Sequence, residues 1–484
     1  MNSGYGSATE PVQELSPLDR FVAIESKDLP ARVFRANDIR GIANTEITPQ
    51  FARQLARAFA LVLKESGQNS ICICRDGRTT SPILSEALKS GLLESGCYVH
   101  DLGIGPTPLL GQFLANSPAH DAGIMITASH NSREYNGFKI ILGGEAYSGD
   151  KLQQLMELMS RQSFEAGTAD LRQVDAVPNY LKFLKADAKN IGGLRIAIDG
   201  ANGVAGQLAC RAFAELGCQV ESLYCDIDGN FPNHSPDPCV SDNLKEICQK
   251  VIDTQSDFGI ALDGDGDRVV AIDNLGQILT PDQLYQLFAK DLLQSNPGAK
   301  LVFDVKASKQ IADNISRWGG TALMEKSGRT FIQSKVRSEQ ALLGGEYSSH
   351  YFFMDRWNAV DDGIYAAYRL AELIHKQGRP LSEILPDVPT LPSTEELEIK
   401  VPDEQKREIF QEFRQNADFP GAKLIEIDGL RIEYPQAWGL VRVSNTGPKL
   451  SIRFEGETET ALRNIQSEFR QIFEQLDSEL NLPF

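Results

Sequence analysis

The sequence predicts an α/β protein: three repeated α/β domains with mixed sheets, then a smaller α+β C-terminal domain, arranged around a central cleft. Three observations predict it. The chain has 484 residues, too many for one hydrophobic core at roughly 150 residues per domain. One order of apolar strand, polar loop, helical stretch, glycine and second strand recurs in three separate segments. After about Pro389 that order gives way to alternating strands spaced as hairpins.

Taken in chain order, the opening "MNSGYGSATEPVQELSPLDR" lacks the basic region and apolar stretch of a secretory signal, so residues 1–29 are expected to form a flexible tail. The first repeat is "ICICRDGRTTSPILSEALKSGLLESGCYVHDL", the second "LRIAIDGANGVAGQLACRAFAELGCQVESLY" and the third "LVFDVKASKQIADNISRWGGTALMEK". In each a glycine stands where the helix should be capped, at Gly96, Gly217 and Gly319–Gly320. Strand, crossover helix, strand is the βαβ unit, whose two strands run parallel. Each repeat continues into a strand and a polar loop: "DAGIMITASHN", "DFGIALDGDGDR" and "ALLGGEYSSH". Ligands of open α/β sheets bind beyond the carboxyl ends of strands, where all three loops would lie. The expected domains are 30–175, 176–278 and 279–390, each carrying one such loop, and 391–484. The last holds "STEELEIKV", a helix from Asp403 to about Asn416, the strands of "GLRIEYPQAWGLVRVSNTGPKLSIRFEG" and a final helix from about Glu459.

Composition narrows the function. A net charge of −18 argues against general nucleic-acid binding, which needs a surplus of Lys and Arg. With 42% hydrophobic and 24% charged residues, the chain shows no apolar run long enough to span a bilayer. The eight cysteines show neither C-x-x-C nor zinc spacing, and Cys72 and Cys74 alternate as on one face of a strand. Reduced core cysteines in a cytoplasmic protein are expected.

Four loops carry chemistry. "DGDGDR" puts Asp263, Asp265 and Asp267 at alternate positions, which face one side of an extended chain, while Gly264 and Gly266 let the backbone bend. Three adjacent carboxylates need a cation, and hard oxygen donors with room for a phosphate oxygen suit Mg²⁺. An EF-hand would need Gly at Arg268 and Glu at Asn274, and is excluded; a solvated acidic turn stays open. Ser129 of "TASHN" lacks the G-x-S-x-G elbow of a hydrolase, and His130 beside it is expected to diverge from it. A helix N-cap is one reading of Ser129; paired with the acidic loop, a hydroxyl that carries a phosphoryl group and offers an oxygen to the metal is the other. "RVSNTGP" offers Arg442, Ser444, Asn445, Thr446 and the amides around Gly447 as a phosphate cradle, or is a plain hairpin turn. "GGEYSSH" offers Glu346, Ser348 and His350 to sugar hydroxyls, or is a turn with a stray acid.

Together, in this order, these loops resemble those of the α-D-phosphohexomutase superfamily, most closely its bacterial phosphomannomutase/phosphoglucomutase branch. The likeness runs from "FRANDIRG" at Phe34 to "SIRFEG" ending at Gly456, and "NGFKI" and "SNTGP" resemble the mannose/glucose branch. The resemblance implies an enzyme that interconverts hexose 1-phosphate and hexose 6-phosphate through phosphoserine 129 and a hexose 1,6-bisphosphate. It implies Mg²⁺ on Ser129, Asp263, Asp265 and Asp267, with Arg40, His130, Lys139 and Arg268 around that centre and Lys139 assisting proton transfer. Lys306 and Arg329 would lie near the reacting sugar, Glu346, Ser348 and His350 on its hydroxyls, and the residues from Arg442 to Gly447 on the distal phosphate. Two positions depart from the pattern: Asn37 replaces an aromatic residue, and "KSGR" puts Arg329 where K-T-G-H would put a His. A phosphoglucosamine mutase of the same family, a phosphatase and a non-catalytic sugar-phosphate sensor are the alternatives. Partners are expected to be small sugar phosphates, with no nucleic acid and no membrane, and the chain a monomer or weak homodimer.

Overall fold

A computed structural model describes residues 28–117, 120–160, 166–444 and 447–484. Residues 1–27 of the expected N-terminal tail, and Asn445 and Thr446 of the phosphate cradle, lie outside the described residues, whereas Leu29, at the tail's expected end, is buried in a hydrophobic cluster with Val33 and Phe34.

The first sheet holds β1 (Ile39–Ile42), β2 (Ser70–Arg75), β3 (Tyr98–Ile104), β4 (Ala122–Ile126), β5 (Tyr135–Leu142), β6 (Glu145–Ala146) and β7 (Leu171–Gln173). Its order is β1-β5-β4-β2-β3-β7, with β6 pairing the end of β5 at Ile141 and Leu142. The second sheet holds β8 (Arg195–Asp199), β9 (Gln219–Leu223), β10 (Phe258–Leu262) and β11 (Val269–Asp273), and the third β12 (Lys300–Asp304), β13 (Thr321–Glu325), β14 (Leu343–Gly345) and β15 (Tyr351–Phe353).

One pattern runs through all three: β3-β2-β4-β5, β9-β8-β10-β11 and β13-β12-β14-β15. In each, the two strands of the predicted βαβ unit pair in parallel, a third strand joins in parallel, and a fourth returns antiparallel through a hairpin. The helices Ser81–Glu94, Gly206–Glu215 and Lys309–Arg317 make the crossovers. They end at the predicted glycines, with φ of 77° at Gly96, 86° at Gly217 and 81° at Gly319, a region costly for residues with a Cβ. The three hairpins are residues 127–134, 263–268 and 346–350, so the three polar loops hold one topological position in three copies.

Packing divides the molecule differently from its sheets. The two faces of β2 enter different cores: Ile71 and Ile73 pack with Phe51 and Phe59 of the helix Pro49–Glu65, whereas Cys72 and Cys74 join a hydrophobic cluster that continues through the second and third sheets to Val388. Cys72 and Cys74 thus share one buried face, as predicted. The C-terminal sheet, β16 (Leu397–Lys400), β17 (Lys423–Ile425), β18 (Leu430–Glu433), β19 (Ala437–Val443) and β20 (Lys449–Gly456), has the order β16-β20-β19-β18-β17 and is antiparallel throughout. Its helices Lys406–Asn416 and Glu459–Leu476 close a core of their own around Phe413, Phe454 and Phe469.

That fourth domain meets the third through Trp438, Leu440 and Val305 and through two buried arginines. Arg431 donates to the carbonyls of Val305 (2.6 Å) and Ala307 (2.7 Å), and Arg453 to that of Lys306 and to Asp282 (2.8 Å). Among the described residues no helix is long and apolar enough to cross a membrane.

Candidate active site

The hairpin between β4 and β5 contains no helix, so Ser129 is not an N-cap. It stands at φ +51°, a left-handed conformation that costs a non-glycine residue about 1 kcal/mol or more and is kept only where surrounding contacts enforce it. Arg78 enforces it. Its buried guanidinium donates to the carbonyls of Ser129 (2.8 Å), Asn131 (2.6 Å), Ser132 (2.6 Å) and Tyr135 (3.2 Å), and to Asp76 (3.0 Å). The kink also overturns the expectation that Ser129 and His130 diverge: His130 Nδ1 lies 3.3 Å from Ser129 Oγ. Burial, with Arg268 and Arg40 nearby, pulls the His130 imidazole well below its ordinary pKa, so it is neutral.

Ser129 Oγ donates to Asp263 Oδ2 at 2.7 Å, joining the first loaded hairpin to the second. Residues 263–268 form a turn, not an extended segment, so Asp263, Asp265 and Asp267 converge because the chain curls around them rather than by strand alternation. Gly266 supplies the curl with φ of 76°. Gly264 serves a different end: a Cβ there would sit 2.6 Å from the Ser129 carbonyl oxygen, so its bare backbone lets the two hairpins touch.

All three carboxylates are fully buried, with ligand oxygens within 4.8 Å of one another. Burial opposes ionisation at each. At Asp263 it prevails, with Asp267 and Asp265 adding to it, and the pKa rises well above the usual carboxylate range. At Asp265 and Asp267 the Lys139 ammonium outweighs it, holding Asp265 below its ordinary value and Asp267 down at about 2. Lys139 donates to both, at 2.6 Å to Asp265, and is itself raised in pKa despite burial. It is therefore a fixed ammonium that can neutralise charge. Thr107 also donates to Asp265 Oδ2. Asp265 Oδ1 and Asp267 Oδ1 are buried with no hydrogen-bond partner. Two orphaned anionic oxygens in a dry site are what a hard divalent cation would satisfy, so the donor set fits one.

A second grouping, Asp267, His350 and Asp361, shares Asp267, and in it Asp361 is taken by Arg329. Arg329 grips Asp361 with Nε (2.7 Å) and Nη2 (2.9 Å) and reaches to 3.8 Å from Asp267. Arg268 Nε lies 3.0 Å from His350 Nε2, while His350 Nδ1 faces Asp361 at 3.3 Å. His350 thus stands on the wall of the acidic turn, between Arg268 and Asp361. At the other departure from the family pattern, Asn37 accepts from Thr330 at 2.6 Å and so ties the first domain to the helix that begins with Arg329.

Of these groups Asn37, His130, Arg268, Arg329 and His350 line one wall of a cleft of about 720 Å³. Arg40 reaches it from β1, held by Asp38 and by Asn131 (2.7 Å). Across from them stand Lys306, Glu346 and Ser348 of the third domain and Arg442 and Ser444 of the fourth. Lys306 is paired with Glu396 at 2.8 Å, Glu346 accepts the Gly328 amide at 2.6 Å, and Arg442 is held by Asp428 at 3.0 Å. Gly447 sits behind this wall, its carbonyl 3.3 Å from the Lys406 ammonium. Sequence reasoning missed Arg78, Thr107, Asn131, Asp361, Glu396 and Asp428. Arg78 lies within the first repeat's "RDGR" and Asn131 within "TASHN", but no spacing marks the others.

Comparison with known proteins bears on the same loops. Family models match four consecutive stretches: phosphoglucomutase/phosphomannomutase alpha/beta/alpha domain I over residues 31–166, domain II over 174–276, domain III over 280–391 and the C-terminal domain over 396–472. The chain is 41% identical over 456 residues to a phosphomannomutase/phosphoglucomutase of Pseudomonas aeruginosa, an alignment covering 94% of this chain and 98% of that protein. To a phosphoglucomutase of Neisseria gonorrhoeae it is 40% identical over 446 residues, 91% and 96% of the two chains. The crystal structure of a phosphoglucomutase/phosphomannomutase family protein from Burkholderia thailandensis matches with a TM-score of 0.88 at 39% identity, covering 94% of this chain and 99% of that one.

Proposed function

Since the chain belongs to the phosphoglucomutase/phosphomannomutase family, whose members are phosphohexomutases, we propose that it interconverts the 1- and 6-phosphates of mannose and glucose through a phosphoserine at Ser129. The observation that carries this reading is Ser129 itself. Arg78 holds its backbone in a left-handed kink and its hydroxyl meets Asp263, beside His130 and Arg268 of a cleft lined by all four domains.

In the forward half-reaction the free hydroxyl of the bound hexose phosphate attacks the phosphoryl group on Ser129. The sugar O–P bond forms as the Ser129 O–P bond breaks, and the proton that the sugar hydroxyl loses is balanced by one gained at Ser129 Oγ, where His130 Nδ1 lies 3.3 Å away on the side of the leaving oxygen. Lys139, Arg268 and Arg329 supply fixed positive charge around the transferring group. The hexose 1,6-bisphosphate then reverses in the cleft and Ser129 takes the other phosphate. Arg442 and Ser444 hold the distal phosphate in both orientations, with Asn445 and Thr446 of the same loop, while Glu346 and Ser348 take sugar hydroxyls. Asp263, Asp265 and Asp267 would hold Mg²⁺, which when bound supplies charge to the phosphoryl oxygens. The eight unbridged cysteines support work in a reducing cytoplasm.

Intact-protein mass spectrometry tests the reading. The active protein should carry one phosphoryl group that Ser129→Ala lacks, and the variant should lose nearly all turnover while keeping the parent's thermal unfolding. A fully active Ser129→Ala protein would end the phosphoserine mechanism.

A further inference from the structure

Away from the cleft's lining, two cysteines of the second domain lie in contact. Cys210, on the helix Gly206–Glu215, has its sulfur 3.5 Å from that of Cys225, just beyond the end of β9. Both are half-buried, so a small reagent can reach them, whereas Cys72, Cys74, Cys97 and Cys218 are buried. Of the eight cysteines, all among the described residues, Cys210 is the one whose thiol lies below its ordinary pKa. Contact with the Cys225 thiol draws it down against the opposing effect of burial. Cys225 is pushed up, by that same contact and then by burial. Two thiols in contact, one on a helix and one just past a strand end, are placed to close into a disulfide.

What surrounds Cys225 connects the pair to the catalytic groups along two routes. The first passes through the loop of residues 200–206. A Cβ on Gly200 or Gly206 would meet the Cys225 Cα at 3.0 or 2.9 Å, so backbone lies against backbone with nothing to yield. The far side of that loop bears on the acidic turn: the Val204 amide donates to the Gly264 carbonyl at 3.2 Å, and a Cβ on Gly203 would meet the same oxygen at 2.7 Å. The second route follows the chain onward from Cys225. Gly229 lies against the backbone of Gly77 and Arg78, and the Phe231 ring lies 5.0 Å from the Arg78 guanidinium that kinks Ser129. Both Tyr224 (φ 49°) and Phe231 (φ 50°) are left-handed, so the segment between them is held by its packing.

We propose that Cys210 and Cys225 form a thiol–disulfide site and, resting on the phosphohexomutase reading above, that their oxidation by a low-molecular-weight disulfide slows turnover. The Cys210 thiolate attacks one sulfur of the small disulfide, breaking its S–S bond and releasing one thiolate. Cys225 then gives its proton to that thiolate and attacks the Cys210 sulfur of the mixed disulfide, releasing the second small thiolate, which takes up the proton that Cys210 lost to water. Two protein thiols are oxidised and one small disulfide is reduced to two thiols. Closing the protein bond brings sulfurs 3.5 Å apart to about 2 Å. With Cys225 wedged against Gly200 and Gly206, that movement reaches the acidic turn and the Arg78 clamp. A misplacement near 1 Å at a catalytic centre costs on the order of a hundredfold in rate, so a fall of at least about tenfold is expected from a partial one.

The test incubates the full-length protein with oxidised glutathione and follows kcat alongside peptide mass mapping. A peptide pair linked through Cys210 and Cys225, a fall in kcat of about tenfold or more, and recovery with dithiothreitol are expected. The Cys210→Ser/Cys225→Ser double variant should match the untreated parent and keep its activity under the same treatment. Three results would each overturn the proposal: no bridge between these two cysteines, a bridge with unchanged kcat, or an equal loss in the double variant.

Discussion

Gly264→Ala isolates the contact between the phosphoryl-carrying hairpin and the acidic turn. The new Cβ would lie 2.6 Å from the Ser129 carbonyl oxygen, whereas ordinary contact begins at 3.4 Å, so one hairpin must retreat by about 0.8 Å. Pro236, 3.2 Å away on another side, closes off an escape in its direction. The Ser129 carbonyl is held by Arg78 at 2.8 Å and its hydroxyl by Asp263 at 2.7 Å. A retreat of that size takes the second bond beyond hydrogen-bonding range. Strain from one added methyl in a packed site costs about 1–3 kcal/mol of stability, which the whole molecule survives, while misalignment near 1 Å costs on the order of a hundredfold in rate. Steady-state kinetics should therefore show kcat down by about two orders of magnitude with KM little changed, because the cradle around Arg442 is untouched. Phosphorylation of Ser129 by added hexose 1,6-bisphosphate, followed by intact mass, should slow in parallel. A Gly264→Ala enzyme with kcat within twofold of the parent would refute the idea that this bare backbone positions Ser129.

Asp265→Asn should lower turnover by a hundredfold or more, since it removes one anionic ligand at constant shape, and chelation of the parent with EDTA should mimic it; activity indifferent to both would remove the metal from the site. Arg442→Ala should weaken binding of the 1-phosphate and the 6-phosphate alike, by about tenfold to a hundredfold for a charged hydrogen bond worth roughly 1.5–3 kcal/mol, and impairment in one direction only would contradict a shared cradle. Glu346→Gln should show effects that depend on the sugar offered more than on the position of its phosphate, and kinetics with mannose and glucose phosphates in both directions would show otherwise if the assignment is wrong. Arg78→Lys should cost about 2–3 kcal/mol of stability, because an ammonium cannot serve four carbonyls and Asp76 at once, and should lower kcat more than it raises KM; a stability and kcat equal to the parent's would remove the clamp.

Much of this was legible in the chain because the repeat is written in local signals. A glycine after each crossover helix and an apolar run before each loaded loop are short-range features, and they placed three loops at equivalent strand ends before any coordinates. Convergence was legible in outcome and misread in cause: the spacing of Asp263, Asp265 and Asp267 suggested a strand, but Gly266 at positive φ makes a turn. Ser129 against Asp263 was inferred from chemistry, yet the kink that brings His130 Nδ1 to within 3.3 Å of Ser129 Oγ comes from Arg78, more than fifty residues away. Groups that act by reaching across the fold leave no pattern of their own. Thr107 meets Asp265 at a separation of 158 residues, and Lys306 meets Glu396 at 90, so each reads as an ordinary threonine or glutamate until the domains are assembled.

The division of the interior has a calorimetric consequence. Because one hydrophobic cluster runs unbroken from Cys72 to Val388, the first three sheets cannot lose their packing one at a time, and heat should melt them as a single cooperative block. The last sheet keeps its own core around Phe413, Phe454 and Phe469 and leans on its neighbour through one small apolar cluster, Trp438 and Leu440 on Val305, and through the bonds of Arg431 and Arg453. A heating scan should thus resolve two endotherms of unequal size. The smaller belongs to roughly the last fifth of the chain, and a sugar phosphate that spans Arg442 and Ser129 should draw the two together.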